Sequence, residues 1–321
     1  MKLFQRLPIV AGIALSMLAL VASPAFAKPD AKQAKINVLV DVLNAWSGYV
    51  YDNSSSYTKV VDPTKGPTCK ESNLRGPSAI GDTALKTTFP AYKKALAKAP
   101  KLAIDAAAMK MVDTLIALSA PTNEASEYYY KRKFKDDDCK RGQELHVQLL
   151  PLWQDFITAE RDVRAFIVTY NDELQVKSLA ATKKKYGEKL RYHYEKSLAD
   201  GKLLIREIDA QLAAETPDGA AISARLDAFA ATIEMTQTLS EKERPNRKIY
   251  DVLYQGGYTQ FVSRGINFRD SSKRLVETLA KPDKKPKQQA SELERAQKQT
   301  LVDYNGMVDA ANKVQLSAKI K

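Results

Sequence analysis

The chain predicts an all-α fold: an antiparallel helical bundle with long helices, built either as one body or as two bundles sharing a central helix. Three observations predict it. Leu145, Leu149, Leu152, Phe156, Val163, Phe166, Tyr170 and Leu174 recur at steps of three and four, with Ala159 in the one gap. That spacing draws a single apolar stripe along a helix. Alternating runs of Val, Ile and Thr, the signature of strands, are nearly absent. Alanine and lysine, both strong helix formers, are abundant.

The first helix is expected over residues 30–58. Trp46, Tyr49 and Tyr57 fall near one face of it and Tyr51 diverges, so these rings serve either core packing or a platform for a sugar or peptide. Residues 61–81 hold Pro63, Gly66, Pro67, Gly76, Pro77 and Gly81 and read as a long irregular loop with Cys69 inside it. Helices follow over 82–98, 101–133 and 138–180. The fifth, over 183–214, begins at the Lys183-Lys184-Lys185 run and repeats the stripe through Leu198, Ile205, Ile208 and Leu212. Two alternatives stay open there: a break at Asp200-Gly201, or one continuous rod with the fourth helix. Thr216-Pro217-Asp218-Gly219 is a turn signal before a helix over 219–242. The helix over 247–279 carries Gly256-Gly257, each glycine costing about 1 kcal/mol relative to alanine. The pair marks a close helix contact or a hinge. Proline-punctuated residues 281–287 cannot continue a helix. The last helix, 288–317, is carried by Leu301, Tyr304, Val308 and Ala311. Short connections make neighbouring helices antiparallel, with sub-bundles of about 28–180 and 181–321.

Residues 1–27 read as a secretory signal peptide. Lys2 and Arg6 form a positive head, Leu7 to Ala22 is uncharged and apolar, and Ala25-Phe26-Ala27 is a small-x-small cleavage site before Lys28. The apolar run is shorter than the roughly 20 residues a bilayer span needs. A periplasmic protein cut after Ala27 is expected, with no transmembrane span in the mature chain. The signal peptide removes two positive charges, so the formal net charge falls from +12 to +10. Six of those ten charges come from residues 261–321, with 13 Lys or Arg against 7 Asp or Glu. An exported chain meets no chromosome, so nucleic acid is excluded as a partner. Acidic glycans, lipid headgroups or another envelope protein are the available partners.

Two cysteines remain, Cys69 and Cys139. An oxidising compartment and an even count favour a disulfide between them. Closing about 70 residues would stabilise the fold by roughly 4 kcal/mol in the chain-entropy description. No Cys-x-x-Cys redox motif is present.

The most distinctive run is Glu127-Tyr128-Tyr129-Tyr130-Lys131-Arg132-Lys133-Phe134. Consecutive tyrosines wrap most of a helix's circumference, so at least one is expected to face solvent or a groove. Tyr128, Tyr129, Tyr130, Lys131, Arg132 and Lys133 are therefore the candidate ligand-binding residues, with rings for contact and cations for an anion. The alternative is that one or two tyrosines are core. Asp136-Asp137-Asp138 lacks EF-hand spacing, and acidic residues there suit a helix cap better than a metal. His146 and His193 belong to no zinc signature, and no nucleophile elbow or phosphate-cradling glycine loop occurs. No catalytic residue, metal or cofactor is expected.

Three stretches, Lys35 to Trp46, Glu127 to His146 and Leu301 to Asn312, resemble the YiiG-like bacterial family, a domain of unknown function common among envelope lipoproteins. The resemblance implies one exported helical domain over 28–321 and carries no functional residues. Its members are often tethered by an N-terminal lipid. This chain has a plain Ala-x-Ala site instead, which implies a free periplasmic protein. The expected function is non-enzymatic binding in the envelope. The alternative is a hydrolase whose site is assembled between helices from dispersed carboxylates and tyrosines.

Overall fold

The structure, a computed structural model, describes residues 30–243, 255–281 and 286–314. The expected signal peptide, residues 247–254 and 315–317 of two expected helices, and 282–285 of the linker lie outside the described residues. Among the described residues there are eight α-helices and no strand: α1 Ala31–Thr58, α2 Phe89–Leu96, α3 Asp105–Tyr130, α4 Lys140–Tyr186, α5 Leu190–Ala213, α6 Gly219–Glu243, α7 Gln255–Leu279 and α8 Pro286–Lys313. None is long and apolar enough to cross a membrane. Two compact units divide between Asp172 and Glu173.

In the N-terminal unit α2 packs against both α1 and α3, and the rings of Tyr57, Tyr129 and Trp153 join α1, α3 and the first part of α4. Leu39, Leu43, Leu115, Leu149 and Phe156 of these helices are buried. Asp30 opens α1 as an N-cap, its carboxylate accepting the Gln33 amide at 2.7 Å. Buried Lys35 anchors the start of α3. Its ammonium donates to the Lys98 and Pro100 carbonyls at 3.0 Å each and pairs with Asp105 at 2.7 Å. A buried charge is tolerable only when its hydrogen bonds are filled in this way. Tyr170 reaches Gln33 near one end of the α1–α4 pair, and Tyr57 meets His146 near the other, so the two helices run antiparallel.

The loop from Lys59 to Gly81 is irregular, as its prolines and glycines predict, but side chains of the neighbouring helices pair several of its backbone groups. Asn53 accepts the Ser78 amide at 2.6 Å, and Asn123 clamps Ile80 by accepting its amide and donating to its carbonyl. Gly76 passes so close to the Ala125 carbonyl that a Cβ would lie 2.5 Å from it. Cys69 and Cys139 form a disulfide with Cα atoms 5.7 Å apart, tying the loop to the start of α4.

In the C-terminal unit the helices form a ring: α5 packs on α6, α6 on α7, α7 on α8, and α8 closes against α5. Neighbours run antiparallel: Ser197 meets Thr236 and Asp200 meets Thr232, Gly265 lies against Ile233 and Phe268 against Phe229, and Tyr194 reaches Ala311 where Asp209 reaches Gln297. Such a ring is the up-down-up-down bundle. Phe229, Phe261, Phe268, Ile208 and Met307 fill its centre. Gly201 lies inside α5, where Phe229 and Met307 occupy the space a Cβ would need, so Asp200-Gly201 is a packing position and not a break.

The boundary between the fourth and fifth helices differs from the expected 180/183: α4 runs on to Tyr186 and α5 begins at Leu190. Lys183-Lys184-Lys185 forms the last turn of α4 and does not open the fifth helix. Cations are favourable at a helix C-terminus. Gly187, at φ +73°, then ends the rod in the left-handed conformation that favours glycine.

Candidate functional site

The run Tyr128 to Lys133 lies where α3 ends and the chain turns into α4. Arg132 adopts φ +54°, a short 3₁₀ turn follows over Lys133–Lys135, and Asp137 caps α4 by accepting the amides of Cys139 and Arg141 at 3.0 Å each. The acidic triplet therefore performs its helix-capping role through Asp137.

The six candidate residues are not brought to one surface. Tyr128 and Tyr129 turn inward and are buried. Tyr128 packs edge-on to Tyr129 and near Phe134, and its hydroxyl donates to Asp137 at 2.7 Å. Glycine at 142 leaves room for them: a Cβ there would lie 3.0 Å from the Tyr129 hydroxyl and 3.1 Å from Cys139 Sγ. Their burial corrects the expectation that both tyrosines line a ligand surface. Two consecutive rings fit the core here because helix, loop and disulfide surround them on several sides.

Tyr130, by contrast, is 86% exposed. Lys131, Arg132 and Lys133 are exposed beside it. Glu127 pairs with both Lys131 (3.0 Å) and Lys133 (2.8 Å), and the two ammonium groups hold its carboxyl down to about 2. Arg141 bridges Glu124 and Glu144. Arg132, Lys135 and Lys140 have no ion-pair partner among the described residues.

A second constellation lies beneath the 59–81 loop. Tyr57 sits at its centre, with ring centroids 6.4 Å from Tyr129, 5.8 Å from His146 and 5.5 Å from Trp153. His146 Nε2 lies 3.2 Å from the Pro63 carbonyl, which only accepts, so Nε2 carries the proton. Nδ1 and the Tyr57 hydroxyl share a hydrogen bond at 3.3 Å. Burial pushes the Tyr57 hydroxyl up to about 12, with the Glu71 carboxylate adding to the effect. Burial also raises Tyr129, next to Tyr57. Both are therefore neutral hydrogen-bonding groups at physiological pH. Tyr129 Oη, Trp153 Nε1 and Glu71 Oε2 are buried and make no hydrogen bond of normal geometry. Sequence reasoning singled out His146 and Tyr57 separately but had no signal joining them to Trp153 and Glu71, which arrive from distant segments.

A third polar group was also invisible in sequence. Glu160, 2% exposed, accepts from Ser47 (3.1 Å), Tyr51 (3.0 Å) and Arg164 (2.9 Å from Nε). Every oxygen is satisfied, so this network joins α1 to α4 and offers no open chemistry. On the outer face of α3, Ala106, Met109, Lys110, Asp113 and Ala117 line a shallow groove with Leu152 of α4. Its charges are already paired, Lys93 with Asp113 and Lys110 with Asp155. No group of three or more metal-ligating side chains occurs among the described residues.

These features define an all-helical protein with a disulfide-clamped loop and, among the described residues, a single large exposed ring at a helix hairpin. The chain belongs to the family described as "Protein of unknown function (DUF3829)", which matches residues 30–313. It is also similar to the Escherichia coli K12 protein named "Uncharacterized protein YiiG", at 29% identity over 133 residues. That match spans 41% of this chain and 38% of the relative. No solved structure matches.

Proposed function

We propose that the chain acts after export as a non-enzymatic binding protein of the cell envelope. Tyr130 and the cations around it meet an anionic ligand, an acidic glycan or a lipid headgroup. The observation that carries this reading is Tyr130 itself: a ring held out in solvent, on the same α3–α4 connection as exposed Arg132, Lys135 and Lys140, which have no carboxylate partner among the described residues. An exposed aromatic supplies contact area at low entropic cost, and unpaired cations supply attraction. Binding of acidic glycans or anionic vesicles by the purified protein tests it. Tyr130→Ala and Arg132→Gln should each weaken binding, and affinity should fall as salt rises past a Debye length of about 8 Å. Unchanged binding by both variants removes the assignment.

A second reading, an enzyme assembled from dispersed residues, is favoured by the unsatisfied polar atoms around Tyr57. It requires the 59–81 loop to move, because His146, Tyr57 and Trp153 are buried beneath it. A turnover assay that His146→Gln abolishes, with unchanged melting, would move the assignment there.

A further inference from the structure

The junction of α4 and α5 carries a stronger uncompensated charge than the α3–α4 hairpin. Residues 127–144 hold six Lys or Arg against five Asp or Glu; residues 176–192 hold six against one. The single acid, Glu188, is taken by Lys183 at 2.5 Å. Arg191 is held by buried Glu195 at 3.2 Å. Lys177, Lys184, Lys185 and Lys189 are exposed and have no carboxylate partner among the described residues.

Two half-buried tyrosines are interleaved with these cations. Lys185 and Arg191 each lie 4.9 Å from the centroid of the Tyr186 ring, and Lys183 lies 5.7 Å from that of Tyr192. Cation–π contacts of this kind hold charged side chains over a ring without neutralising them. The α4 face leading to the junction also carries Val176, 66% exposed. At 100° per residue Val176, Ala180 and Lys183 share one face, and Lys177 and Lys184 the adjoining one.

We infer that this junction is a docking surface for anionic phospholipid headgroups, separate from Tyr130 and in the C-terminal unit. The cation type decides the ligand chemistry. Lysines are flexible point charges suited to phosphate, whereas planar two-point recognition of a carboxylate calls for a free arginine fork, and Arg191 is already engaged. An exposed valine among lysines and half-buried tyrosines fits a lipid surface better than a dissolved polyanion. The inference shares with the proposed function only the premise of an anionic envelope ligand, and it uses different residues.

The test is co-sedimentation of the purified protein, processed as the cell leaves it, with phosphatidylcholine vesicles with and without phosphatidylglycerol. Wild type is compared with K184Q/K185Q/K189Q and with R132Q/K135Q, all matched by circular dichroism melting. Each lysine near an anionic surface contributes about 5-fold in partitioning, so the triple variant should lose on the order of 100-fold. R132Q/K135Q should lose far less. Partitioning of the triple variant within about 5-fold of wild type overturns the inference. So does a loss confined to R132Q/K135Q, which leaves the Tyr130 reading standing. Binding of soluble polyphosphate without vesicle binding, or no vesicle binding by wild type, also overturns it.

Discussion

Replacing both members of the cystine, Cys69→Ser with Cys139→Ser, should destabilise the N-terminal unit selectively. The bridge closes a separation of 70 residues. Chain entropy puts its effect at about 4 kcal/mol at 25 °C. The loop it holds has further ties, to Asn53, Asn123 and Gln143, so the native arrangement should persist in the variant at low denaturant. Tryptophan fluorescence is the right assay because both tryptophans, Trp46 and Trp153, belong to the N-terminal unit. With a urea slope of roughly 2 kcal/mol per molar, the fluorescence midpoint should fall by about 2 M. A later transition seen only by far-ultraviolet circular dichroism, from the ring of α5 to α8, should stay in place. A fluorescence midpoint that moves by less than about 0.5 M would refute the reasoning. It would mean that side-chain clamps, and not the covalent tether, restrain residues 59–81.

Other predictions follow from single positions. Gly48 in α1 has open space where a Cβ would go, so Gly48→Ala should stabilise by about 1 kcal/mol in a thermal melt. Gly265→Ala places a Cβ 2.6 Å from Ile233 Cδ1 in the core and should destabilise by about 1–2 kcal/mol instead. Tyr51→Phe removes one donor from the buried Glu160 carboxylate and should cost about 1.5 kcal/mol by denaturant titration. Carboxyl chemical shifts should show Glu127 titrating near 2, and Lys133→Gln should move that midpoint upward. Because its folded value is lowered, the stability it contributes is present above the ordinary carboxylate range and lost as pH falls towards 2. Burial lowers His193 in the folded protein. Its contribution is therefore present above about 6.5 and lost as pH falls below that, and His193→Gln should flatten the dependence there.

The fold was legible because burying one face of a helix imposes a spacing that survives in the sequence. The α4 stripe is the clearest case: Leu145, Leu149, Phe156, Val163 and Tyr170 are buried, while Leu152, Phe166 and Leu174 are only partly so and the neighbouring Trp153 and Ile167 take core positions instead. Helix ends were harder to place. Lys183 to Lys185 suits either the start of a new helix or the end of an old one, and Gly187 decides between them by its backbone conformation alone. The sites were less legible still. Three adjacent tyrosines are equivalent in sequence, and the packing of Gly142, Phe134 and the cystine turns two of them inward while Tyr130 is left outside. The Glu160 network joins residues 109 and 113 positions apart, and nothing local to any of them announces the others.

The ring of α5 to α8 has a consequence for how the polypeptide matures. Three of its four contacts join helices adjacent in the chain, so it has low contact order and is expected to assemble quickly, hairpin upon hairpin. The N-terminal unit differs, because Tyr57 waits for His146 and Trp153, and Ser47 for Glu160. A chain emerging from a ribosome therefore presents the apolar side of its first helix before the covering segment exists. That interval is when a chaperone has most to gain, and the exposed target is Ile36 to Val50.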